Sequence, residues 1–345
     1  MKALTQLRYG GPEVLRLRDC PEPQPEAGQV RIRVAYAGLN FADVSARLGL
    51  YPDAPKPPAV MGYEVSGTVE ALGPGVTGME TGTSVFALTH FNGHAQKVVA
   101  QASHVFALPQ AMSLIQAAAL PVNYFTAFHS AMRVGNLRPG EKILIHMAAG
   151  GVGLAAVQLA RTVPGVEIFG TASASKHPLL REFGVDHPID YRKLSYPDEV
   201  HRLTGGKGVQ LILNPLGGRD WSRSYGLLRP GGRMVLYGWS NLVSGTGRNY
   251  LHVVKELVGL KRFSALELMN DNRGVLGVHL GHLWEEEALL RDVAFALLGL
   301  FEKGAIAPRV DRIFPLSDGA EAHRYLQSRQ SVGKVLFDCA ERHPS

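Results

Sequence analysis

A cluster of glycines at residues 146–161 carries the clearest chemical signal in the sequence. The segment reads HMAAGGVGLAAVQLAR and is preceded by the apolar run KILIH. A strand, a glycine turn and a helix in this order form a phosphate cradle, because the free N–H groups and the dipole of the helix attract an anion. Ala148 stands where a dinucleotide fingerprint has its first glycine. The simpler alternative is a tight turn that holds no ligand.

The backbone of this turn is expected to contact the pyrophosphate of a dinucleotide. Gly150 allows the backbone to approach the ligand closely, and Gly153 allows the helix to pack on the strand. The residues predicted to form the cradle are Ala149, Gly150, Gly151, Val152 and Gly153.

The end of the next predicted strand indicates which dinucleotide binds. NAD-binding proteins usually place Asp or Glu there, about 20 residues after the turn, to bind the ribose 2′-hydroxyl. Residues 168–181 contain no carboxylate, whereas Ser173 lies 20 residues after Gly153 and Lys176 follows it. A hydroxyl and an ammonium favour a 2′-phosphate, so the predicted cofactor is NADPH. Tyr191, at the end of the following strand, is a weaker candidate, and Lys176 could also be an ordinary surface lysine.

The composition is that of a globular protein without nucleic-acid or membrane-spanning character. The chain has 345 residues, 46% of them apolar and 19% charged, with a net charge of +6. Its basic residues are scattered rather than arranged in stripes with aromatics, which argues against nucleic-acid binding. No apolar run is long enough to span a bilayer, and the N-terminus lacks the features of a signal peptide. The two cysteines, Cys20 and Cys339, exclude a disulfide framework, so we expect a cytoplasmic protein.

Metal-binding and nucleophilic motifs are weak in this sequence. His90 and His94, and also His279 and His282, have spacings that suit a metal, but no clear third and fourth ligand accompanies either pair. We therefore expect no metal site. Cys20 has no evident base beside it, so a catalytic thiolate is not expected either.

The order of strand-like and helix-like segments predicts an α/β protein. Residues 1 to about 120 carry short alternating runs such as QVRIRVAYAG between glycine-rich turns, which indicates a mostly β domain. Strands then alternate with helices, which predicts a parallel sheet with both faces covered. The segments predicted as its strands are KILIHM, VEIFGTA, HPIDY, VQLILNP, GRMVLYG and FSALEL. The tail from about residue 283 either extends this sheet domain or returns to the first domain.

Several longer motifs carry a resemblance to a known family. The chain resembles the zinc-independent quinone oxidoreductases of the medium-chain dehydrogenase/reductase superfamily in the motifs AGLNFADV, GYE, MAAGGVG and GTASASKH. Within these oxidoreductases it resembles the vesicle amine transport protein homologue branch, through the motifs NYFTAF, NPLGG, YGWSNL and SVGKVL. The resemblance implies a GroES-like, mostly β catalytic domain from residues 1–122 and 283–345. It also implies a doubly wound Rossmann domain at residues 123–282, with NADPH and substrate in the cleft between the two. A homodimer is expected, with the sheet edge around FSALEL as its contact.

The resemblance also assigns roles to side chains near the cleft. Asn40 stands where zinc-dependent relatives carry a catalytic cysteine, and Tyr63 where they carry a histidine, and neither makes a good zinc ligand. By the resemblance, Asn40 orients cofactor and substrate and Tyr51 donates a hydrogen bond or a proton; the alternatives are a turn-capping Asn and a loop tyrosine. Asp43 is expected to order its own loop. Ser45 replaces a second tyrosine of some quinone oxidoreductases, so substrate preference cannot simply be inherited.

Further cofactor contacts follow from the same resemblance. Thr126 should face the phosphates, Gly238 and Asn241 should border the nicotinamide, and Lys334 should close over the cofactor. Leu216 belongs to the segment LNPLGG, which ends the fourth predicted strand of the Rossmann domain beside the cofactor.

The predicted reaction is hydride transfer from NADPH to a quinone or an α,β-unsaturated carbonyl compound. Without zinc there is no Lewis acid to polarise a simple ketone, so the acceptor must delocalise its own negative charge. Two alternatives stay open: an enoyl-thioester reductase, and a low-turnover NADPH-binding adaptor for lipid, vesicle or cytoskeletal partners. The sequence contains no basic amphipathic helix or lipidation signal in support of the adaptor.

Overall fold

The computed structural model describes residues 1–340, and the strands of this part of the chain form three sheets. The last five residues of the predicted segment 283–345 lie outside the described residues. In chain order the strands are β1 Lys2–Gln6, β2 Leu15–Asp19, β3 Gln29–Leu39, β4 Ala59–Val60, β5 Glu64–Leu72, β6 Ser84–Leu88, β7 Lys97–Gln101, β8 Val105–Ala107, β9 Lys142–Ile145, β10 Glu167–Ala172, β11 His187–Asp190, β12 Val209–Asn214, β13 Leu228–Leu236, β14 Gly274–Gly277, β15 Val310–Pro315 and β16 Lys334–Asp338.

The α-helices lie mainly between the later strands. They are α1 Phe41–Arg47, α2 Leu114–Ala119, α3 Pro121–Phe128, α4 Gly151–Arg161, α5 His177–Glu182, α6 Tyr196–Leu203, α7 Arg219–Tyr225, α8 Tyr250–Val258, α9 Ala265–Asp271, α10 Glu287–Glu302 and α11 Gly319–Gln327. Among residues 1–340, none of these helices combines the length and the apolar character needed to cross a bilayer.

The second half of the chain builds a six-stranded parallel sheet. Its strand order is β11-β10-β9-β12-β13-β14, and every pairing in it is parallel. The chain runs outward from β9 to β11 and then returns to the other side of β9 with β12. In doubly wound sheets, the crevice at this reversal, beyond the carboxyl ends of the strands, is where ligands bind. The Rossmann-type sheet predicted from the sequence is confirmed.

The first half and the tail share a seven-stranded sheet. Its order is β15-β16-β3-β5-β6-β8, and β7 also pairs with β3. Because β16 pairs with β3 in antiparallel register, the tail of the chain joins the sheet of the first half. The mostly β domain is therefore built from both ends of the chain. Its proposed boundaries, at residues 122/123 and 282/283, stay predictions.

One apolar core connects the two large sheets. Phe86 on β6, Phe125 on α3, Leu290 on α10 and Ile143 on β9 are all buried members of the same cluster. Burial of such side chains stabilises each by about 1.5–3 kcal/mol relative to exposure. The helices α3 and α10 thus fix one sheet against the other, and with them the cleft between the sheets.

The segment FSALEL is a helix, so its prediction as a strand was wrong. It belongs to the start of α9, where the Ser264 hydroxyl accepts a hydrogen bond from the backbone N–H of Glu267. Ser followed three residues later by Glu is a signature of a helix N-terminus, and this signal outweighed the apolar content of the segment. The sixth strand is β14, a few residues later, and β14 forms the edge of the sheet.

The structure shows how the sheet accommodates Ala148 in place of the first fingerprint glycine. Ala148 is completely buried, and its methyl group faces Gly170 on the neighbouring strand β10. A Cβ atom at Gly170 would lie 2.9 Å from the Ala148 Cβ and 3.0 Å from a methyl carbon of Val185. The missing side chain at position 170 therefore provides the space that the methyl group at position 148 fills.

We expect Gly170→Ala to destabilise the protein by about 1–3 kcal/mol, because it overpacks this contact. Adding Ala148→Gly should recover part of the loss, since it removes one of the two clashing methyl groups. The free energy of unfolding from urea titration checks both. Gly277→Ala is the matched control, because Gly277 lies in the same sheet and a Cβ there meets nothing within 4 Å. Equal stability of G170A and G277A would contradict this account.

Candidate active site

The glycine turn connects β9 to α4 as the sequence predicts. Met147 adopts the left-handed conformation with φ of 51°, and the N–H of Gly150 donates to the Met147 carbonyl at 2.8 Å. Helix α4 then begins at Gly151, with Gly150 as its extended N-cap residue. The first N–H groups of the helix therefore point out of the carboxyl end of the sheet, where an anion is favoured.

The three glycines of the turn differ in what surrounds them. A Cβ at Gly153 would lie 2.3 Å from the Met147 carbonyl oxygen, so the helix packs on the turn only without a side chain there. A Cβ at Gly151 would lie 2.4 Å from the side-chain nitrogen of Asn123 on α3. At Gly150 the Met147 carbonyl oxygen is the contact, at 3.2 Å. Gly153 has the packing role expected of it, and Gly150 leaves the space that a pyrophosphate would need.

The start of strand β16 is bonded to this turn. The N–H of Gly333 donates to the carbonyl of Ala149 at 3.0 Å, and Gly333 and Gly150 form a parallel bridge. Gly333 has φ of 94°, a conformation that suits glycine. This contact brings the mostly β domain directly against the candidate phosphate cradle.

Lys334, the next residue, forms a buried polar cluster with Asn40 and Glu64. Its ammonium donates to Asn40 Oδ1 at 2.7 Å and makes a short ion pair with Glu64 Oε1. Asn40 Nδ2 donates to the same Glu64 oxygen at 2.8 Å, and the N–H of Val122 donates to Glu64 Oε2 at 2.7 Å. Asn40, Glu64 and Lys334 are 8%, 0% and 2% exposed. The Lys334 side chain therefore points into this cluster.

These partners determine the orientation of the Asn40 amide. Lys334 can only donate and the ionised Glu64 can only accept, so Oδ1 must face the lysine and Nδ2 the carboxylate. The Asp43 carboxylate accepts from the backbone N–H of Asn40 at 2.8 Å and from that of Gly62 at 3.2 Å, so it orders its own loop as expected. Burial raises the pKa of Asp43. The Asn40 amide is left with one N–H that neither Glu64 nor Lys334 uses.

Tyr51 lies beside this cluster in a group of aromatic side chains. It packs against Tyr63, with ring centroids 6.1 Å apart, in the same small apolar cluster as Val122. Its hydroxyl lies 3.1 Å from Nε2 of His279, and the two rings stack. Burial raises the pKa of Tyr51 above its usual value of 10, so the hydroxyl stays protonated. Tyr51 is thus a hydrogen-bond donor on the same apolar cluster as Val122, whose backbone N–H donates to Glu64.

The end of β10 brings together the residues predicted to bind a 2′-phosphate. Ser173 is buried there, and its hydroxyl lies 3.3 Å from that of Ser175. The Lys176 ammonium donates to the carbonyls of Arg329 and Ser331 at 2.8 and 2.7 Å. Burial lowers the pKa of Lys176; the nearby Asp311 carboxylate opposes this shift, and the charge of Arg192 adds to it.

Tyr191, the weaker candidate, is 40% exposed beyond the end of β11. Thr126 is buried on α3, one turn after the Asn123 side chain that contacts the glycine turn. Of the predicted cradle residues, Ala149 is buried and Val152 is half-buried at the start of α4.

The residues predicted near the nicotinamide surround the end of β12 and β13. The carbonyl of Leu216 accepts from the backbone N–H of Asn241 at 2.9 Å. The side chain of Asn241 donates to Asp220 at 3.1 Å, so that carboxylate holds it. A Cβ at Gly238 would make only ordinary contacts with Pro215, at 3.5 Å. The structure brings Leu216 and Asn241 together, and shows no steric need for glycine at position 238.

Comparisons with known proteins identify the family to which the chain belongs. The family described as Alcohol dehydrogenase GroES-like domain matches residues 26–128, and the family described as Zinc-binding dehydrogenase matches residues 151–294. The rat synaptic vesicle membrane protein VAT-1 homolog is 43% identical over 98% of this chain and 84% of its own length. The chain belongs to the medium-chain dehydrogenase/reductase superfamily. The resemblance to the VAT-1 homologue branch is likewise confirmed.

Two solved structures of this superfamily share the fold. The Escherichia coli quinone oxidoreductase complexed with NADPH has a TM-score of 0.87 and 28% identity, over 98% of this chain and all of that one. The CurK enoyl reductase has a TM-score of 0.84 and 29% identity, over 98% of this chain and 99% of that one. The family fold of a GroES-like domain and a Rossmann domain therefore holds for this protein.

Sequence reasoning missed three features of this family member. In the sequence Glu64 is only the last residue of the motif GYE, although its side chain is the common partner of Asn40 and Lys334. The hydroxyl of Tyr63 is buried without a hydrogen-bond partner among the described residues. His279 and His282, which lacked a third ligand in the sequence, have Asp53 beside them. Glu64 and Asp53 are distant in sequence from the residues that they contact, so local spacing gave no signal for these two features.

We expect Lys334→Met to destabilise the protein by about 3–5 kcal/mol, because it leaves the Glu64 carboxylate buried and unpaired. The double variant with Glu64→Gln should lose less free energy of unfolding than the sum of the losses of the two single variants, because both charges are then removed. Urea unfolding of the full chain measures these differences. The exposed pair Lys2–Asp19 provides the control, and K2M should leave stability nearly unchanged. A K334M protein as stable as K2M would show that the buried pair does not hold the cleft.

Proposed function

We propose that this protein is an NADPH-dependent reductase of quinones or α,β-unsaturated carbonyl compounds that works without zinc. Its family makes it an oxidoreductase of the medium-chain dehydrogenase/reductase type. The cofactor, the acceptor and the independence from zinc are the parts that we infer from the site.

The charge at the end of β10 is the observation that carries the choice of NADPH. Ser173 and Lys176 occupy the position where a carboxylate would select NADH, and Arg192 places a second positive charge near Lys176, although the Asp311 carboxylate also acts on this lysine. Two N–H bonds of the Lys176 ammonium go to backbone carbonyls, which aim the group and leave a third for a phosphate oxygen. NADPH, when bound, supplies the hydride. The quinone oxidoreductase of similar fold was solved with NADPH.

The residues at the reaction end of the cleft suit an acceptor that delocalises its own charge. Asn40 and Tyr63 stand at the positions where zinc-dependent relatives carry ligands, and an amide and a phenol with a raised pKa bind zinc poorly. The unused N–H of Asn40 is a donor for an oxyanion that develops on the acceptor, and the hydroxyl of Tyr51 is a second one when it exchanges its contact with His279 for the acceptor. Preorganised donors of this kind stabilise an enolate or a hydroquinone anion.

An enoyl thioester is the second candidate acceptor, because its reduction has the same hydride chemistry and the CurK enoyl reductase shares this fold. A third reading is an NADPH-binding adaptor with little turnover, which the vesicle names of the relatives suggest. Turnover distinguishes the three readings.

We also propose a cytoplasmic homodimer. Among the described residues, β14 pairs with one strand, so its other edge is open to a second chain. The helices α8 and α9, which precede β14 in the chain, expose apolar side chains, among them Leu251, Val258, Leu266 and Met269. Burial of this face in a dimer would remove it from water. The dimer edge is β14 rather than the FSALEL segment itself.

The decisive experiment follows oxidation of NADPH and NADH with 1,4-benzoquinone, 9,10-phenanthrenequinone and crotonyl-CoA, with and without EDTA. We expect faster turnover with NADPH, activity with the quinones and no loss with chelator. Lys176→Ala should raise the KM for NADPH by about tenfold or more, since a hydrogen bond to a charged group contributes about 1.5–3 kcal/mol. The KM for NADH should hardly change.

Lys207→Ala is the matched control, because Lys207 is an exposed lysine in the loop after α6. Equal effects of K176A on both cofactors would refute the phosphate contact and assign Lys176 to loop structure. Loss of activity with EDTA in a His282→Ala variant as well as in the wild type would overturn the zinc-free proposal. Tight NADPH binding without turnover of any acceptor would favour the adaptor, and turnover of crotonyl-CoA alone would favour the enoyl-thioester reductase.

A further inference from the structure

Three potential metal ligands meet at the cleft beside Tyr51. Asp53 lies in the loop after α1, and His279 and His282 flank a short helical turn that follows β14. Their ligand atoms all lie within 4.8 Å of one another. His282 Nε2 is 2.9 Å from Asp53 Oδ2, and His279 Nε2 is 3.6 Å from the same oxygen.

We infer that Asp53, His279 and His282 form a binding site for one divalent transition-metal ion of the zinc class. This inference goes beyond the proposed reductase activity and does not depend on it. Its three ligands are different residues from Asn40 and Tyr63, which stand where zinc-dependent relatives hold their catalytic metal.

The spacing of the three ligand atoms fits such an ion. Zinc bonds of about 2.0–2.2 Å at tetrahedral angles place neighbouring ligand atoms about 3.3–3.5 Å apart. The two measured distances to Asp53 lie on either side of this value, so small side-chain rotations complete the geometry. Two imidazoles and one carboxylate match the zinc preference for nitrogen and oxygen ligands, and the fourth position stays open to water.

The site is also accessible from solvent. The side chains of Asp53, His279 and His282 are 40%, 41% and 65% exposed, so an ion can enter from solvent. The i, i+3 spacing brings the two imidazole rings into a stack with centroids 4.0 Å apart.

Metal binding at this site competes with the hydrogen bond of Tyr51. The Tyr51 hydroxyl lies 3.1 Å from Nε2 of His279, the same nitrogen that faces Asp53. One ring nitrogen has a single position for a proton or a metal, so it cannot serve both partners. An ion would therefore release the hydroxyl of Tyr51, and would join the loop of Asp53 to the turn that carries the two histidines.

The experiment titrates untagged full-length protein, freed of metal with chelator and dialysed, with ZnCl2 by calorimetry. We expect one ion per chain for the wild type and for the control H201A, because His201 is exposed on α6 away from the cluster. D53N and H282A should lose this binding. Zinc should also raise the Tm of the wild type and not that of H282A, since only folded chains hold the complete site.

A second, independent test removes the Tyr51 hydroxyl, which competes with the ion for His279. Y51F should bind zinc about fivefold more tightly, because a hydrogen bond of about 1 kcal/mol no longer opposes the ion. Metal-free Tm values show whether each variant folds. The site is overturned if the wild type binds no zinc, or if D53N and H282A bind it as the wild type does. Unchanged affinity in Y51F overturns the competition with Tyr51.

Discussion

The ion pair between Lys334 and Glu64 is the interaction on which the geometry of the cleft depends. Both side chains are almost fully excluded from water, so each loses several kcal/mol of hydration. Their mutual attraction and the hydrogen bonds from Asn40 and the Val122 backbone offset that loss. Because a charge left unpaired here is costly, these four residues tolerate few alternative arrangements. The pair thereby fixes where the tail of the chain meets the glycine turn.

The ion pair also brings together the two parts of the proposed site. Gly333 is bonded to the turn and Lys334 to the amide of Asn40, so two consecutive residues connect the candidate phosphate cradle to the side chain proposed to orient the substrate. The parallel sheet supplies the cradle at its topological reversal, and the β domain supplies Asn40 and Tyr51. The proposed site therefore needs residues from both domains.

Much of this arrangement was predictable, because its signals are local. The strand–turn–helix order around Gly153, the hydroxyl and lysine after β10, and the alternation of strands and helices each depend on neighbouring residues. The FSALEL segment was misread although a local signal, Ser264 followed by Glu267, was present. The apolar content of so short a segment does not by itself distinguish a strand from the start of a helix.

What the sequence did not reveal depends on contacts between distant parts of the chain. Glu64 has no local feature that marks it as the partner of Lys334, and Asp53 has none that marks it as the neighbour of His279 and His282. The compensation between Ala148 and Gly170 is of the same kind, since one residue's volume is matched on another strand. Such pairs become visible only once the register of the strands is known.

A crystal structure of the full chain with bound NADPH tests the central claim most directly. We predict the pyrophosphate against the backbone of residues 149–153, the 2′-phosphate beside Ser173 and Lys176, and the nicotinamide facing Asn40, with the Lys334–Glu64 pair intact. A nucleotide bound elsewhere, or a 2′-phosphate directed into solvent away from Lys176, would contradict the account.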